Sequence, residues 1–291
     1  MTSTNERGPL PDFVVIGVQK SGTTWLARML RQHPDVYMPG EEVHYFDKKH
    51  NYRKGEQWYR THFGGAETNQ TVGEKTPDYI WAHGDGVEGH DPNVHRNLHD
   101  TLPNARLVVL LRNPVDRAVS ATKHIIRSGR VSPRYSLDEL LMGDEHDRIS
   151  GHGVLEYGYY HQHLSAYLDL FPTSRLLVLF FEEDVVEAPQ RGLKKVLRFL
   201  DLPETDAIWG IDEKVNAHRA TLLELYAKYY APRLFGVARR LRSIVPQKIA
   251  PPSEETMGWL YEHYAEHNER LADMMGRPLP DSWYSPDFTD D

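Results

Sequence analysis

The stretch Phe13-Val14-Val15-Ile16-Gly17-Val18-Gln19-Lys20-Ser21-Gly22-Thr23-Thr24-Trp25-Leu26-Ala27-Arg28-Met29-Leu30 decides the fold. Its first six residues form a short β-branched apolar run, the pattern of a strand buried on both faces. From Thr23 onward, apolar residues recur at helical spacing. Between the two lies the small polar turn Gln19-Lys20-Ser21-Gly22. A strand, a glycine loop and a helix in that order aim free backbone N–H groups and the positive end of a helix at one point, which makes a cradle for phosphate. Lys20 adds a full charge, and Ser21, Thr23 and Thr24 add hydroxyl donors. Gly17 and Gly22 keep the spacing of the phosphate loop G-x-x-x-x-G-K-[ST], but Thr23 stands where that motif has its lysine. The lysine of this loop is Lys20, two residues before the second glycine.

Outward from this unit, residues 106–111 (RLVVLL) predict a second buried strand, ended by Arg112-Asn113-Pro114. Asn113 suits an N-cap and Pro114 a first helical position, with the helix running to about Ile126. Arg112 then sits at the carboxyl end of a parallel strand, where α/β folds bind ligands. Ser120, two turns into the helix, can face back toward it, and an arginine fork beside a hydroxyl suits a terminal phosphate. Arg175–Phe181 predict a third buried strand, with Glu182-Glu183-Asp184 after it and a helix from about Pro189 to Leu200. Val72-Gly73-Glu74 close a short strand that Thr76-Pro77 breaks. Tyr157–Phe171 and Glu254–Met275 read as helices, the second stopped by Gly276.

The bulk numbers narrow the classes. The 291 residues are 40% apolar and 26% charged, ordinary for a globular protein with a sizeable core. A net charge of −8 argues against general nucleic-acid binding but not against a local basic pocket. With no cysteine there is no disulfide framework and no thiolate or cysteine–zinc chemistry. Residues 1–11 are polar and read as a flexible lead-in without a signal peptide, and no run is apolar enough to span a membrane. A cytoplasmic enzyme is the expectation.

Two segments carry chemistry of their own. Pro39-Gly40-Glu41-Glu42-Val43-His44-Tyr45-Phe46-Asp47 places adjacent acids before a histidine and aromatic residues. Read alone, it fits a solvated acidic turn or a carboxylate whose pKa is raised beside apolar rings, as suits a general base. Glu74-Lys75 reads equally as a solvated ion pair. His83, His90, His95 and His99 match no metal-ligand spacing, and no metal is expected. Residues 128–153 read as a surface excursion with a short helix near Leu137–Met142, suited to a substrate-facing lid. Residues 233–248 hold Arg233, Arg239, Arg240, Arg242 and Lys248 among apolar residues; this fits a solvated basic face, or a surface for an acidic glycan or a membrane.

Lys20-Ser21-Gly22-Thr23-Thr24-Trp25 resembles the 5′-phosphosulfate loop of sulfotransferases that use 3′-phosphoadenosine 5′-phosphosulfate (PAPS). Further matches follow the pattern of the heparan-sulfate-type members: Glu42 with His44 two positions on, the Gly55-x-x-Trp58-Tyr59 segment, Glu74-Lys75-Thr76-Pro77 with Tyr79, and the eight-residue spacing of Arg112 and Ser120. The resemblance runs over about residues 12 to 283 and implies one α/β domain, residues 12–291, with a P-loop-like sulfotransferase fold: a central parallel sheet with helices on both faces. It implies transfer of a sulfuryl group from PAPS to a hydroxyl or amine of a glycan, lipid or small metabolite, leaving adenosine 3′,5′-bisphosphate. Glu42 would be the base, with Lys20, Lys75 and His44 as further catalytic residues. Lys20, Ser21, Gly22, Thr23 and Thr24 would hold the 5′-phosphate, and Arg112, Ser120 and, more loosely, Arg219 the 3′-phosphate. Trp25 would stack on adenine or serve as a core tryptophan. The rival classes are a P-loop kinase using ATP and magnesium, which the missing loop lysine opposes, and a non-catalytic nucleotide-binding protein.

Overall fold

The computed structural model describes residues 8–83, 89–213, 220–241 and 248–284. Along the chain come β1 (Phe13–Gly17), α1 (Thr23–Leu30), β2 (Val36–Tyr37), α2 (Lys49–Tyr52), α3 (Gly55–Thr61), β3 (Thr71–Lys75), α4 (Val94–Thr101) and β4 (Arg106–Leu111). Then follow α5 (Pro114–Ser128), α6 (Leu137–Leu141), α7 (Asp147–Ser150), α8 (Tyr160–Leu168), β5 (Leu176–Phe180) and α9 (Pro189–Phe199). The chain closes with α10 (Leu222–Tyr230), α11 (Phe235–Arg240) and α12 (Glu254–Met275). The described residues group into two compact units. One holds those up to Arg112 and from Tyr160 to Glu213; the other holds Asn113–Tyr159 and those from Ala220 onward.

The first unit is an α/β layer structure. Its five strands are all parallel, in the order β2-β3-β1-β4-β5, so β1 lies at the centre. The β1 side chains alternate between faces. Phe13 and Val15 join Val108, Leu110 and Leu179 in a core packed against Leu26, Leu30, Leu193 and Val196 of α1 and α9. Val14, Ile16, Leu107, Val109 and Leu111, of opposite parity, are wholly buried too. This double burial is what the unbroken apolar runs encode, and helices cover both faces. β3 extends the short strand expected at Val72–Glu74 by one residue at each end, and β2, which the sequence did not show, is only two residues long, too short to carry a period.

The second unit is helical. Asn113 caps α5, its side chain accepting from the Val115 amide at 3.0 Å, with Pro114 at the first position. Residues 128–153, expected as a surface excursion, pack inward instead: Val131, Tyr135, Leu137, Leu140, Leu141 and Ile149 share a core with α5, Leu260 and Tyr264. The helix expected over Tyr157–Phe171 is shorter. A 3₁₀ turn occupies Glu156–Gly158 and the α-helix starts at Tyr160. Gly158 lies so close to Tyr264 that a Cβ there would come within 2.6 Å of the ring. α12 matches its expected limits, with Ser253 as N-cap and Gly276 in the left-handed conformation after it. Among the described residues, no helix is long and apolar enough to cross a membrane.

Candidate active site

The site lies in the first unit, at the carboxyl ends of the strands, where the sheet's winding reverses beside β1. After β1 the chain turns through Lys20 (φ +72°) and Gly22 (φ +91°) into α1. Leu26 closes the first helical turn, its amide donating to the Gly22 carbonyl at 3.1 Å. No side chain caps this helix, so its first amides point outward unspent. The Ser21 hydroxyl is fully buried and has no hydrogen-bond partner among the described residues. Uncapped amides, an orphaned hydroxyl and an adjacent lysine fit an anion. Gly22 is required here twice, by its positive φ and by Phe181, whose ring carbon would lie 3.0 Å from a Cβ. Thr23 is buried and Thr24 exposed at the helix start.

Arg112 follows β4. Its guanidinium stacks 5.0 Å from the Phe181 ring centroid and donates to the Lys20 carbonyl at 3.2 Å. It therefore braces the loop that carries Lys20. Ser120 lies on α5, half-buried, in the second unit. Arg219 lies outside the described residues. Trp25 is 5% exposed in the α1 core, and its indole donates to the Ile211 carbonyl at 2.9 Å, so it takes the core alternative. Of the acids after β5, Asp184 is buried, accepting from the Phe180 amide and from Lys195. It ties a local turn.

The acidic segment after β2 folds over the end of β3. Glu41 is 73% exposed, while Glu42 turns in and pairs with Lys75, the last residue of β3. His44 completes the group, with Nε2 3.4 Å from Glu42 and Nδ1 3.0 Å from the wholly buried Asp47. Asp78 stands 3.9 Å from the same Nδ1. His44 adopts φ +52°, a strained conformation costing about 1–3 kcal/mol outside glycine.

Of the two readings of the acidic segment, the carboxylate raised beside apolar rings is excluded for Glu42, whose pKa is lowered to about 2. Burial does favour the neutral acid, but hydrogen bonds from His44 and Lys75, and their charges, outweigh it. His44 is pushed up to about 10: burial opposes its charge, while hydrogen bonds to Asp47 and Glu42 and the charges of Asp47 and Asp78 hold the proton. Glu42 is thus a carboxylate between two cations across the neutral range. His44, Asp47 and Asp78 each offer an atom within 4.8 Å of the others, a set able to ligate a cation.

Beneath this group lies a hub that sequence reasoning missed. Glu74 is fully buried and accepts from Thr76 (2.8 Å), Tyr79 (2.7 Å) and Tyr59. Burial pushes its pKa up to about 7 despite those donors. Thr76 in turn accepts from the His44 amide at 3.4 Å, and Tyr79 from the Tyr45 amide at 2.8 Å. Tyr59 stacks on Tyr45 at 4.4 Å. Glu74-Lys75 is therefore no solvated pair: one residue anchors the segment and the other reaches its catalytic carboxylate candidate. Asp47, Asp78 and Glu74 gave no individual signal. Alternation along β3 could have placed Glu74 and Lys75 on opposite faces.

A family model described as "Sulfotransferase domain" matches residues 10–223. Heparan sulfate glucosamine 3-O-sulfotransferase 6 of Homo sapiens is 33% identical over 276 residues, covering 93% of this chain and 73% of that protein. Heparan sulfate glucosamine 3-O-sulfotransferase 5 of Mus musculus is 27% identical over 197 residues, 67% of this chain and 54% of its own length. The chain thus spans between half and three quarters of these relatives. A sulfotransferase from Alicyclobacillus acidocaldarius superposes with a TM-score of 0.68 at 24% identity, covering 95% of this chain and all of that one, a likeness of fold.

Proposed function

The chain belongs to the sulfotransferase domain family, and on that premise we propose that it moves a sulfuryl group from PAPS to a hydroxyl or amine acceptor by in-line displacement. One observation carries this reading: Glu42, clamped between Lys75 and His44, shares a unit with an uncapped α1 N-terminus and a buried, orphaned Ser21 hydroxyl. PAPS would supply the activated sulfuryl group and a 3′,5′-bisphosphate leaving group. The amides of Gly22, Thr23 and Thr24 and the Ser21 hydroxyl would bind its 5′-phosphate. Lys20 would balance charge developing on the leaving oxygen. Arg112 would take the 3′-phosphate; the sequence resemblance gives Ser120 and, more loosely, Arg219 the same role.

Glu42 would accept the acceptor's proton. Its low pKa is compatible with that role. By analogy with phosphoryl transfer, a loose transition state leaves the nucleophile protonated until the new bond is well formed, when its oxygen is strongly acidic. Lys75 would turn from Glu42 toward the sulfuryl oxygens, withdrawing one of the two cations that hold the carboxylate down. Asp47 would keep His44 charged and oriented. The human and mouse relatives are heparan sulfate glucosamine 3-O-sulfotransferases, which supports a glycan hydroxyl as acceptor.

The test is transfer from sulfur-labelled PAPS across a panel of glycan, lipid and small-molecule acceptors. With any acceptor found, Glu42→Gln should lower kcat by roughly 100-fold or more, the usual range for a general base, with adenosine 3′,5′-bisphosphate affinity little changed. An unaltered kcat would remove Glu42 as the base.

A further inference from the structure

Of the eleven large apolar or aromatic side chains exposed among the described residues, seven fall between Tyr226 and Leu241. Leu234 is 58% exposed, Tyr230 55% and Val237 52%. Leu234, Val237 and Leu241, spaced i, i+3, i+7 through the 3₁₀ turn Pro232–Leu234 and α11, are all exposed, and Ala238, which helical spacing sets beside them, is buried. The preceding helix adds Tyr226 and Tyr230, stacked at 5.9 Å, and Tyr229 set edge-on to Tyr230 at 4.8 Å. Exposed apolar surface this concentrated marks an interaction site.

The charge around it has one sign. From Leu225 to Ser253 the sequence has no acidic residue but six lysines and arginines, in a chain of net charge −8. Arg233, Arg239 and Arg240 are exposed and form no ion pair among the described residues. We propose that α10 and α11 form a membrane-docking element, which sets Leu234, Val237 and Leu241 into the surface of an anionic lipid bilayer while the flanking arginines meet its headgroups. An aliphatic stripe beside long basic side chains is the signature of a helix lying in the interface, and arginine stems can run along apolar surface while their heads stay at the phosphates. An acidic glycan would use the arginines and could stack on the tyrosines, but it gains nothing from exposed leucine and valine. A second copy of the same face would bring cation against cation, a disfavoured pairing.

The experiment is co-sedimentation of the full chain with vesicles of phosphatidylcholine alone, and with vesicles of equal parts phosphatidylcholine and phosphatidylglycerol. Binding is expected to the anionic vesicles only and to weaken with salt. Arg239→Gln with Arg240→Gln should weaken it roughly 25-fold, at about fivefold per charge. Leu234→Ser with Val237→Ser should abolish it with an unchanged thermal midpoint, since both side chains are more than half exposed. No vesicle binding by the wild type overturns the proposal, as does binding that the serine variant keeps. Retention on heparin without vesicle binding assigns the surface to a polyanion. A dimer that the serine variant dissolves assigns it to a second copy. Either result also overturns the proposal.

Discussion

Asp47→Asn tests whether the catalytic group is a charge-coupled unit. Asp47 is wholly buried and holds His44 Nδ1 at 3.0 Å. Moving the imidazolium from its ordinary 6.5 to about 10 corresponds to about 5 kcal/mol in favour of the charged form, at about 1.4 kcal/mol per tenfold change. Burial works against that charge. Asp47 supplies a hydrogen bond and a full charge, Glu42 a hydrogen bond, and Asp78 a charge. Asparagine keeps an acceptor and removes the charge, so about half the effect, about 2.5 kcal/mol, should go, and His44 should titrate near about 8. The sign follows from the raised folded-state pKa. The stability His44 contributes is fully present below about 6.5 and is lost as pH rises through about 10. The variant should therefore be less stable by about 2.5 kcal/mol near pH 6, and the gap should close toward pH 10. Side-chain NMR of His44 gives the midpoint directly, and denaturant unfolding across pH gives the linked stability. The variant's kcat should also gain a falling limb near about pH 8 as His44 loses its proton. Wild-type His44 titrating near 6.5, or a midpoint that Asp47→Asn leaves unmoved, would refute the coupling.

Two further substitutions probe the supports of the site. Glu74 keeps its proton in the folded state up to about 7, so wild-type stability should fall by up to about 3 kcal/mol as pH rises from about 4.5 past 7. Glu74→Gln, which retains a hydrogen-bonding group for Thr76, Tyr79 and Tyr59, should flatten that slope in urea unfolding; an unchanged slope would assign it elsewhere. Gly22→Ala should cost about 1–3 kcal/mol through its positive φ, plus the approach to Phe181, and should weaken nucleotide binding. Gly129→Ala has a similar φ, but its nearest neighbour is 3.8 Å away, so it should cost less and leave binding unchanged. Equal costs would deny the role of Phe181.

The features legible in the sequence were those written in contiguous residues. The Phe13–Leu30 unit carries its own strand run, loop glycine and helix period, and the structure places β1 and α1 within a residue of the reading. Arg112 at the end of β4 followed from the Asn113-Pro114 helix start. Of the two adjacent acids the resemblance singled out Glu42, and the fold turns Glu41 to solvent and Glu42 to Lys75. The sign of the Glu42 pKa change was illegible in the sequence. It depends on Lys75, thirty-three positions away, and on a His44 whose charge is set by Asp47 and Asp78. Glu74 gave no cue because its partners Tyr59 and Tyr79 are ordinary core aromatics until the sheet gathers them. Likewise, the 128–153 segment looked loose because its short helices bury isolated leucines and lack a long amphipathic period.

The most direct test of the central claim is calorimetric titration with adenosine 3′,5′-bisphosphate, adenosine 5′-monophosphate and ATP with magnesium, on the wild type and Arg112→Ala. The account predicts tight binding of the bisphosphate, much weaker binding of the monophosphate, and a loss in Arg112→Ala that is much larger for the 3′-phosphorylated ligand than the loss both ligands share from the unbraced Lys20 loop. Preference for magnesium–ATP, or an equal loss for both nucleotides in the variant, would contradict it.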